Sequence, residues 1–250
     1  MLLSQAAWAR EVEVTVDGRS LSPSSFAENG TTYAPLVPLL DAVGGWKTVW
    51  DAESRTALAD TELFSLAVPA GRSYVTADGS LFGMNAASLI REGRTYVPLR
   101  SIANLLGAEV EFINWSAPIA VTAGDPIPYT DEDLYWLSRI ISAESRGESL
   151  AGQIAVGNVV LSRVSSDKFP NTIRGVIFDR KDAVQFEPVS NGTIYDDPTP
   201  QSVLAARLAL NGTSVVENCM YFFNPSLSQG TWIRQNCAYY TTIGCHQFYR

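Results

Sequence analysis

One glutamate is set apart by its neighbours. Glu144 follows Leu137, Ile140 and Ile141 by seven, four and three positions, so on a helix it shares their apolar face. A carboxylate on that face loses water, which disfavours its charged form and raises its pKa. A glycosidase keeps a general acid protonated near neutral pH in this way. The negative end of the helix dipole pushes in the same direction. The structural alternative is a helix-edge salt bridge from Glu144 to Arg139 or Arg146. If a second carboxylate takes part, about 5–9 Å away as in ordinary glycosidases, the candidates are Glu148, Glu187, Asp196 and Asp197.

Other chemistries are limited by composition. His246 is the single histidine. A zinc site with two or three histidine ligands cannot be built, nor can a His-rich copper site. Any Ser-His-Asp or Cys-His arrangement must run through His246, and Cys245, its immediate neighbour, is badly placed for a thiolate–imidazole pair. With three cysteines, Cys219, Cys237 and Cys245, at least one thiol is free or shared between chains, and the pairing is open.

The elements that must position Glu144 can be read around it. Thr130 and Asp133 form an approximate capping box, and Asp131-Glu132-Asp133 puts negative charge on the positive helix end. Leu134, Leu137, Ile140 and Ile141 make the apolar stripe, and Gly147 ends this helix. A very apolar second helix is predicted over 150–164, broken at Phe169-Pro170, with a short helix or turn at 172–178. An irregular loop or hairpin is predicted at 182–194. A third helix follows at about 200–210, ended by Asn211-Gly212, and then an aromatic, loop-rich region with strands at 220–223 and 247–249.

The first half contains an internal repeat. Gly30-Thr31-Thr32-Tyr33-Ala34-Pro35-Leu36 recurs 63 positions on as Gly93-Arg94-Thr95-Tyr96-Val97-Pro98-Leu99. In each copy a turn opens a short strand, proline ends it and suits the first turn of a helix, and glycine stops the helix. Strand pairs are predicted at 47–50 with 56–59 and at 110–113 with 119–122. A strand before Asp17-Gly18 and another before Asp78-Gly79 precede the two copies. Tyr33, Trp46, Trp50 and Tyr96 are expected mainly in the core. Gly124-Asp125-Pro126-Ile127-Pro128 reads as a linker.

Hydrophobic residues make up 46% of the 250 residues and charged residues 18%, with a formal net charge of -8, so a real core is available. Neither half is net basic, which argues against nucleic acid or an anionic membrane as partner. No apolar run approaches the ~20 residues of a membrane span. Ala7-Trp8-Ala9 has the small-x-small form of a signal-peptidase site, and residues 1–10 are read as a residual export signal or disordered segment.

Two resemblances follow from these residues. The Thr-Tyr-x-Pro-Leu repeat over 11–123 resembles the repeat domain named after the N-terminal domain of copper amine oxidases, although nothing here could hold copper; a spacer (stalk) or wall-binding role is implied. Ser142-Ala143-Glu144-Ser145-Arg146-Gly147-Glu148, the run from Gly152 to Val164, Phe169-Pro170-Asn171-Thr172-Ile173, Gln185-Phe186, Asn191-Gly192, Tyr221-Phe222-Phe223-Asn224-Pro225 and Ile243-Gly244-x-His246-x-Phe248-Tyr249 closely resemble the spore cortex-lytic cell wall hydrolase family. Ser145 stands where alanine is usual, and Cys245 where asparagine is common. The peptidoglycan-binding domain usual in the germination enzymes is replaced by the repeat domain.

The resemblance implies an α+β protein: two β-hairpin/helix repeats, a linker at 124–129, and at 130–250 a mainly helical, lysozyme-like catalytic domain with a small β part. It implies a secreted lytic transglycosylase without cofactor or metal, monomeric, acting on peptidoglycan glycan strands of the cell wall or spore envelope, with Glu144 as the catalytic acid. Gln185 and Asn224 then have amides suited to N-acetyl groups. Phe186, Tyr221 and Trp232 are candidate sugar platforms with the core as alternative. Glu148 and His246 complete the candidate substrate contacts; their alternatives are a turn-fixing carboxylate and a buried, hydrogen-bonded histidine. A hydrolytic muramidase and a non-catalytic wall-binding protein are the competing readings.

Overall fold

The computed structural model describes residues 9–62, 64–123, 129–181 and 185–250; the expected export-signal segment and linker fall largely outside these. The chain divides into two compact units, Met1–Asp125 and Pro126–Arg250. The expected α+β class holds, with a β-rich first unit and a mainly helical second one.

In the first unit the sequence repeat becomes a local two-fold. Strands Thr31–Pro35 and Arg94–Pro98 pair antiparallel, with Ala34 opposite Val97, Tyr33 opposite Pro98 and Pro35 opposite Tyr96. The mates Ala34 and Val97 therefore face one another on the axis, with the other two pairs exchanged across it. Ser25–Glu28 and Leu89–Arg91 flank them, and Arg10–Val12 closes one edge. Each strand ends on a proline at the N-cap of a helix, Leu36–Val43 or Leu99–Leu105, where the missing N–H costs nothing. Both helices bury their leucines on the sheet.

The predicted strand pairs form as Lys47–Asp51 with Thr56–Asp60 and Glu109–Glu111 with Ile119–Thr122. Ser65–Pro69, which sequence reasoning did not place, joins the first pair to the hairpin Tyr74–Ala77/Ser80–Gly83. In the second copy, Ile119–Thr122 pairs in parallel with Val14–Val16, locking the first and last parts of the unit together. Tyr33 and Tyr96 pack on Phe26 with ring centroids 5.2 and 5.1 Å away, inside the core. Trp50 departs from the core expectation. It stands on the edge strand, has a neighbouring strand on one side only, and is exposed.

In the second unit, helix Asp131–Ser145 opens with a complete capping box. The Asp133 N–H donates to Thr130 Oγ1 at 3.2 Å, and the Thr130 N–H donates to the Asp133 carboxylate at 2.9 Å. Its stripe, Leu137, Ile140 and Ile141, is fully buried. It packs on helices Leu150–Val164 and Pro200–Leu210, started by Ser149 and Thr199 as N-caps. Gly157 lies where the three meet. A Cβ there would stand 3.0 Å from Ile141 Cδ1 and 3.3 Å from Ala209 Cβ, so glycine lets the helices meet without crowding these side chains.

The short helix predicted near 172 forms as Ile173–Ile177. The region read as loop or hairpin contains instead the helix Glu187–Asn191, with Pro188 in its first turn and Gly192 as a left-handed C-cap. Five residues are too few for periodicity to reveal. The β part is a three-stranded sheet with His246–Tyr249 between Tyr221–Phe223 and Tyr239–Ile243. The strand 239–243 and the helix Thr231–Asn236 were not anticipated. Among the described residues no helix is long and apolar enough to cross a membrane.

Candidate active site

Glu144 lies in the last turn of helix Asp131–Ser145, half-buried, with Ser142 and Ser145 buried beside it. Burial raises its pKa to about 7, repulsion from Glu187 adds to the rise, and Arg163 opposes it. A carboxyl group poised there is part protonated at neutral pH, so it can donate a proton and take one back. The helix-edge ion pair does not form. Arg139 Nη2 is paired with Asp197 Oδ1 at 3.0 Å, and Arg146 Nε donates to the Ser142 carbonyl at 3.3 Å.

Arg163 lies on the helix that packs against the one carrying Glu144. It is 5% exposed, although burial costs a guanidinium dearly. Its Nε donates to the Met220 carbonyl at 2.8 Å and its Nη1 to Gln185 Oε1 at 3.3 Å. The guanidinium also lies over the rings of Phe169, Phe186 and Tyr221, 4.9, 5.2 and 5.5 Å from their centroids, an arrangement that stabilises a desolvated cation. Burial lowers its pKa to about 10, so it stays charged at neutral pH. The available signal was compositional: Arg163 is the one charged residue of helix Leu150–Val164.

Glu148 and His246 do not face an open cleft. The Glu148 carboxylate accepts the Cys245 N–H at 3.2 and 3.3 Å and stands 3.6 Å from His246 Nδ1. A Cβ at Gly244 would overlap it. The Glu148 carbonyl accepts from Gln153 Nε2 at 3.2 Å and Gln201 Nε2 at 3.0 Å, and buried Ser202 Oγ donates to Gln153 Oε1 at 2.8 Å. The turn following Glu144 is therefore held by two helices and the C-terminal hairpin. His246 is buried against Phe222, ring centroids 5.4 Å apart. Burial lowers its pKa while Glu148 pushes back.

Phe186 is 3% exposed, so its ring serves the Arg163 cage and offers no platform to a sugar. Gln185 is half-buried beside the same guanidinium. Asn224 Oδ1 accepts the Ser226 N–H at 2.9 Å in a surface turn. Tyr221 and Trp232 do reach solvent as a pair, edge to face at 5.5 Å, with Trp232 59% exposed. Tyr221 thus joins the buried cation to a surface tryptophan. Of the four candidate second carboxylates, Glu148 is fastened to the hairpin and Asp197 to Arg139. Asp196 is exposed, and Glu187, also exposed, is the one whose charge reaches Glu144.

All three cysteines are free. Burial pushes the Cys219 thiol up to about 11, and the adjacent Glu148 raises Cys245. Neither is activated as a nucleophile. Among the described residues no three histidine, cysteine, aspartate or glutamate side chains group to hold a metal ion.

Fold and site define a two-unit α+β protein whose helical unit presents one desolvated carboxyl group at a helix end. The Cell Wall Hydrolase family model matches residues 147–249, and the Copper amine oxidase N-terminal domain model matches residues 15–117. Residues 147–249 are thus similar to cell wall hydrolase domains, and residues 15–117 to the copper amine oxidase N-terminal domain. Glu144 stands three positions before the first of these matches begins.

The chain is 39% identical over 108 residues to a spore cortex-lytic enzyme of Bacillus cereus, covering 43% of this chain and 40% of that protein. It is 36% identical over 114 residues to the spore cortex-lytic enzyme of Bacillus subtilis (strain 168), covering 46% and 36%. It therefore spans well under half the length of the curated relatives it matches. Among solved structures, the catalytic domain of the germination-specific lytic transglycosylase SleB from Bacillus anthracis is similar at 36% identity, with 50% of this chain and 100% of that chain covered and a TM-score of 0.46.

Proposed function

We propose that the second unit cleaves peptidoglycan glycan strands as a lytic transglycosylase, with Glu144 as its acid and then its base. The observation that carries this reading is the half-buried Glu144 carboxyl group, held near neutral pKa at the end of a buried helix. Similarity to the spore cortex-lytic enzymes supports the substrate class. Glu144 protonates the glycosidic oxygen as its bond to the muramoyl C1 breaks. The C6 hydroxyl of the same sugar attacks C1 and returns its proton to Glu144. A 1,6-anhydro end forms and no water is consumed. Because the attack is intramolecular, no second carboxylate is required.

Tyr221 and Trp232 supply the aromatic platform, with Gln185 and Asn224 the amides beside it. Glu148 and His246 act as positioning residues, and Phe186 packs the Arg163 cage. The protein works outside the cytoplasm, in the wall or spore envelope, as a monomer. One observation favours a second reading, hydrolysis. The Glu187 charge reaches Glu144, and a carboxylate so placed is able to activate water.

Purified sacculi and decoated spores incubated with the protein and its Glu144→Gln variant test the proposal. Turbidity is expected to fall with the parent and hold with the variant, while the variant still sediments with the wall. Equal clearing by both overturns the assignment. Binding without clearing by either leaves a non-catalytic wall protein.

A further inference from the structure

We infer that the repeat unit carries its own site for an N-acetylated sugar ring, in a cavity beside Trp115. The choice of sugar rests on the glycan reading of the second unit; the site itself does not. The cavity measures about 240 Å³, below the ~300–1,000 Å³ of pockets for drug-sized ligands and suited to one ring. It opens between the first-copy turn at Gly30–Thr32 and the second-copy helix start at Pro98–Arg100.

Its lining combines the groups that recognise a sugar. Trp115 and Phe112 pack edge to face at 4.8 Å, and both remain exposed, 47% and 42%. Arg10 donates to the Trp115 carbonyl at 2.9 Å, and its guanidinium lies 5.6 Å from the indole centroid. The ring is thus held in place before any ligand arrives, which lowers the ordering cost of binding. Thr32, Asn85 and Arg100 also line the cavity; Asn85 Oδ1 accepts from Ser101 Oγ at 2.7 Å and Arg100 Nη1 donates to the Val110 carbonyl at 3.4 Å, which fixes the two polar side chains at its edge. Aromatic faces stack on the C–H face of a pyranose, and planar polar side chains meet its hydroxyl and acetamido groups. Val110 and buried Ile119 offer an apolar floor to the acetyl methyl.

The test uses the full chain with Glu144→Gln, so that ligand is not consumed, and chitotetraose as the probe. The indole N–H signal of Trp115 is assigned by its loss in Trp115→Phe and followed in two-dimensional NMR. The proposal expects this signal to move on titration with chitotetraose and not with maltotetraose. It also expects Trp115→Ala to weaken retention on sacculi by about tenfold, and Trp50→Ala, an exposed tryptophan of the other copy, to leave it unchanged. A silent Trp115 signal, or equal retention of Trp115→Ala and parent, overturns the site. Equal movement with both sugars overturns the amino-sugar assignment. Wall clearing by the Glu144 parent is read separately, so failure here and failure of the glycosidase reading are distinct.

Discussion

The Glu148 carboxylate accepts the Cys245 N–H at 3.2 Å across 97 residues of sequence. The bond ties the turn that follows Glu144 to the tip of the C-terminal hairpin. Among the described residues no hydrogen bond of this kind holds the Glu144 carboxyl, and the anchored turn begins directly after it. An acid that must meet a glycosidic oxygen within hydrogen-bond reach depends on such support.

Removal of this tie should be felt as stability first. Glu148→Ala removes the acceptor of the Cys245 N–H and the carboxylate that stands 3.6 Å from buried His246 Nδ1, and loss of a hydrogen bond to a charged group costs about 1–3 kcal/mol. A lower melting temperature and a reduced kcat with little change in KM are expected from thermal unfolding and wall-clearing kinetics. An unchanged melting temperature with a raised KM would return Glu148 to direct substrate contact.

The two charges acting on Glu144 should move the pH profile in opposite directions. The acid must start protonated, so activity falls as pH rises through its pKa, about 7. Arg163 lowers that pKa and Glu187 raises it. Arg163→Met should shift the alkaline limb to higher pH, with Arg163→Lys restoring it in part. Glu187→Gln should shift the limb to lower pH with activity retained. Abolition of activity by Glu187→Gln would instead favour the hydrolytic reading.

The same pKa predicts a stability signature. The folded value of about 7 lies above the ordinary 4.5, so the unfolded chain gives up the proton more readily and folding is penalised as pH rises. The penalty is absent below 4.5, grows through the interval and is complete above 7. A shift of this size corresponds to about 3 kcal/mol at most; with residual solvent access, about 1–3 kcal/mol is expected. Glu144→Gln should therefore melt higher than the parent at pH 8, with the gap closing toward pH 4. A gap that does not depend on pH would contradict the desolvated carboxyl.

Local patterns made much of this legible. The capping box at Thr130, the buried stripe of Leu137, Ile140 and Ile141, and the Pro-ended strands of the repeat each depend on residues within one or two turns of each other. The apolar face beneath Glu144 was visible for the same reason. The turn-fixing part of Glu148 was legible, but its partner Cys245 and the Arg163 cage were not, because folding brings Gln185, Tyr221 and Cys245 from distant sequence. Phe186 and His246 were read as possible surface contacts because an aromatic ring gives no sign of which side of a sheet or helix it will meet. The helix Glu187–Asn191 was missed for its length, although Pro188 and Gly192 marked both ends.

The crossing at Gly157 offers a test of the scaffold alone. Gly157→Ala places a methyl 3.0 Å from Ile141 Cδ1, and overpacking of this kind costs about 1–3 kcal/mol. Thermal unfolding should show the loss. Glu144 rides on the same helix as Ile141, so wall clearing should fall with it. Full stability in the variant would mean that Ile141 and Ala209 give way to the methyl at little cost.

Mass spectrometry of the fragments released from purified peptidoglycan bears most directly on the central claim. Anhydro and reducing muramoyl ends differ by one water, so the mass records whether C6 or water attacked. Glycan fragments with anhydro ends are expected from the parent protein and none from Glu144→Gln. Release of the same fragments by the variant at the parent's rate would contradict a reaction that runs through Glu144.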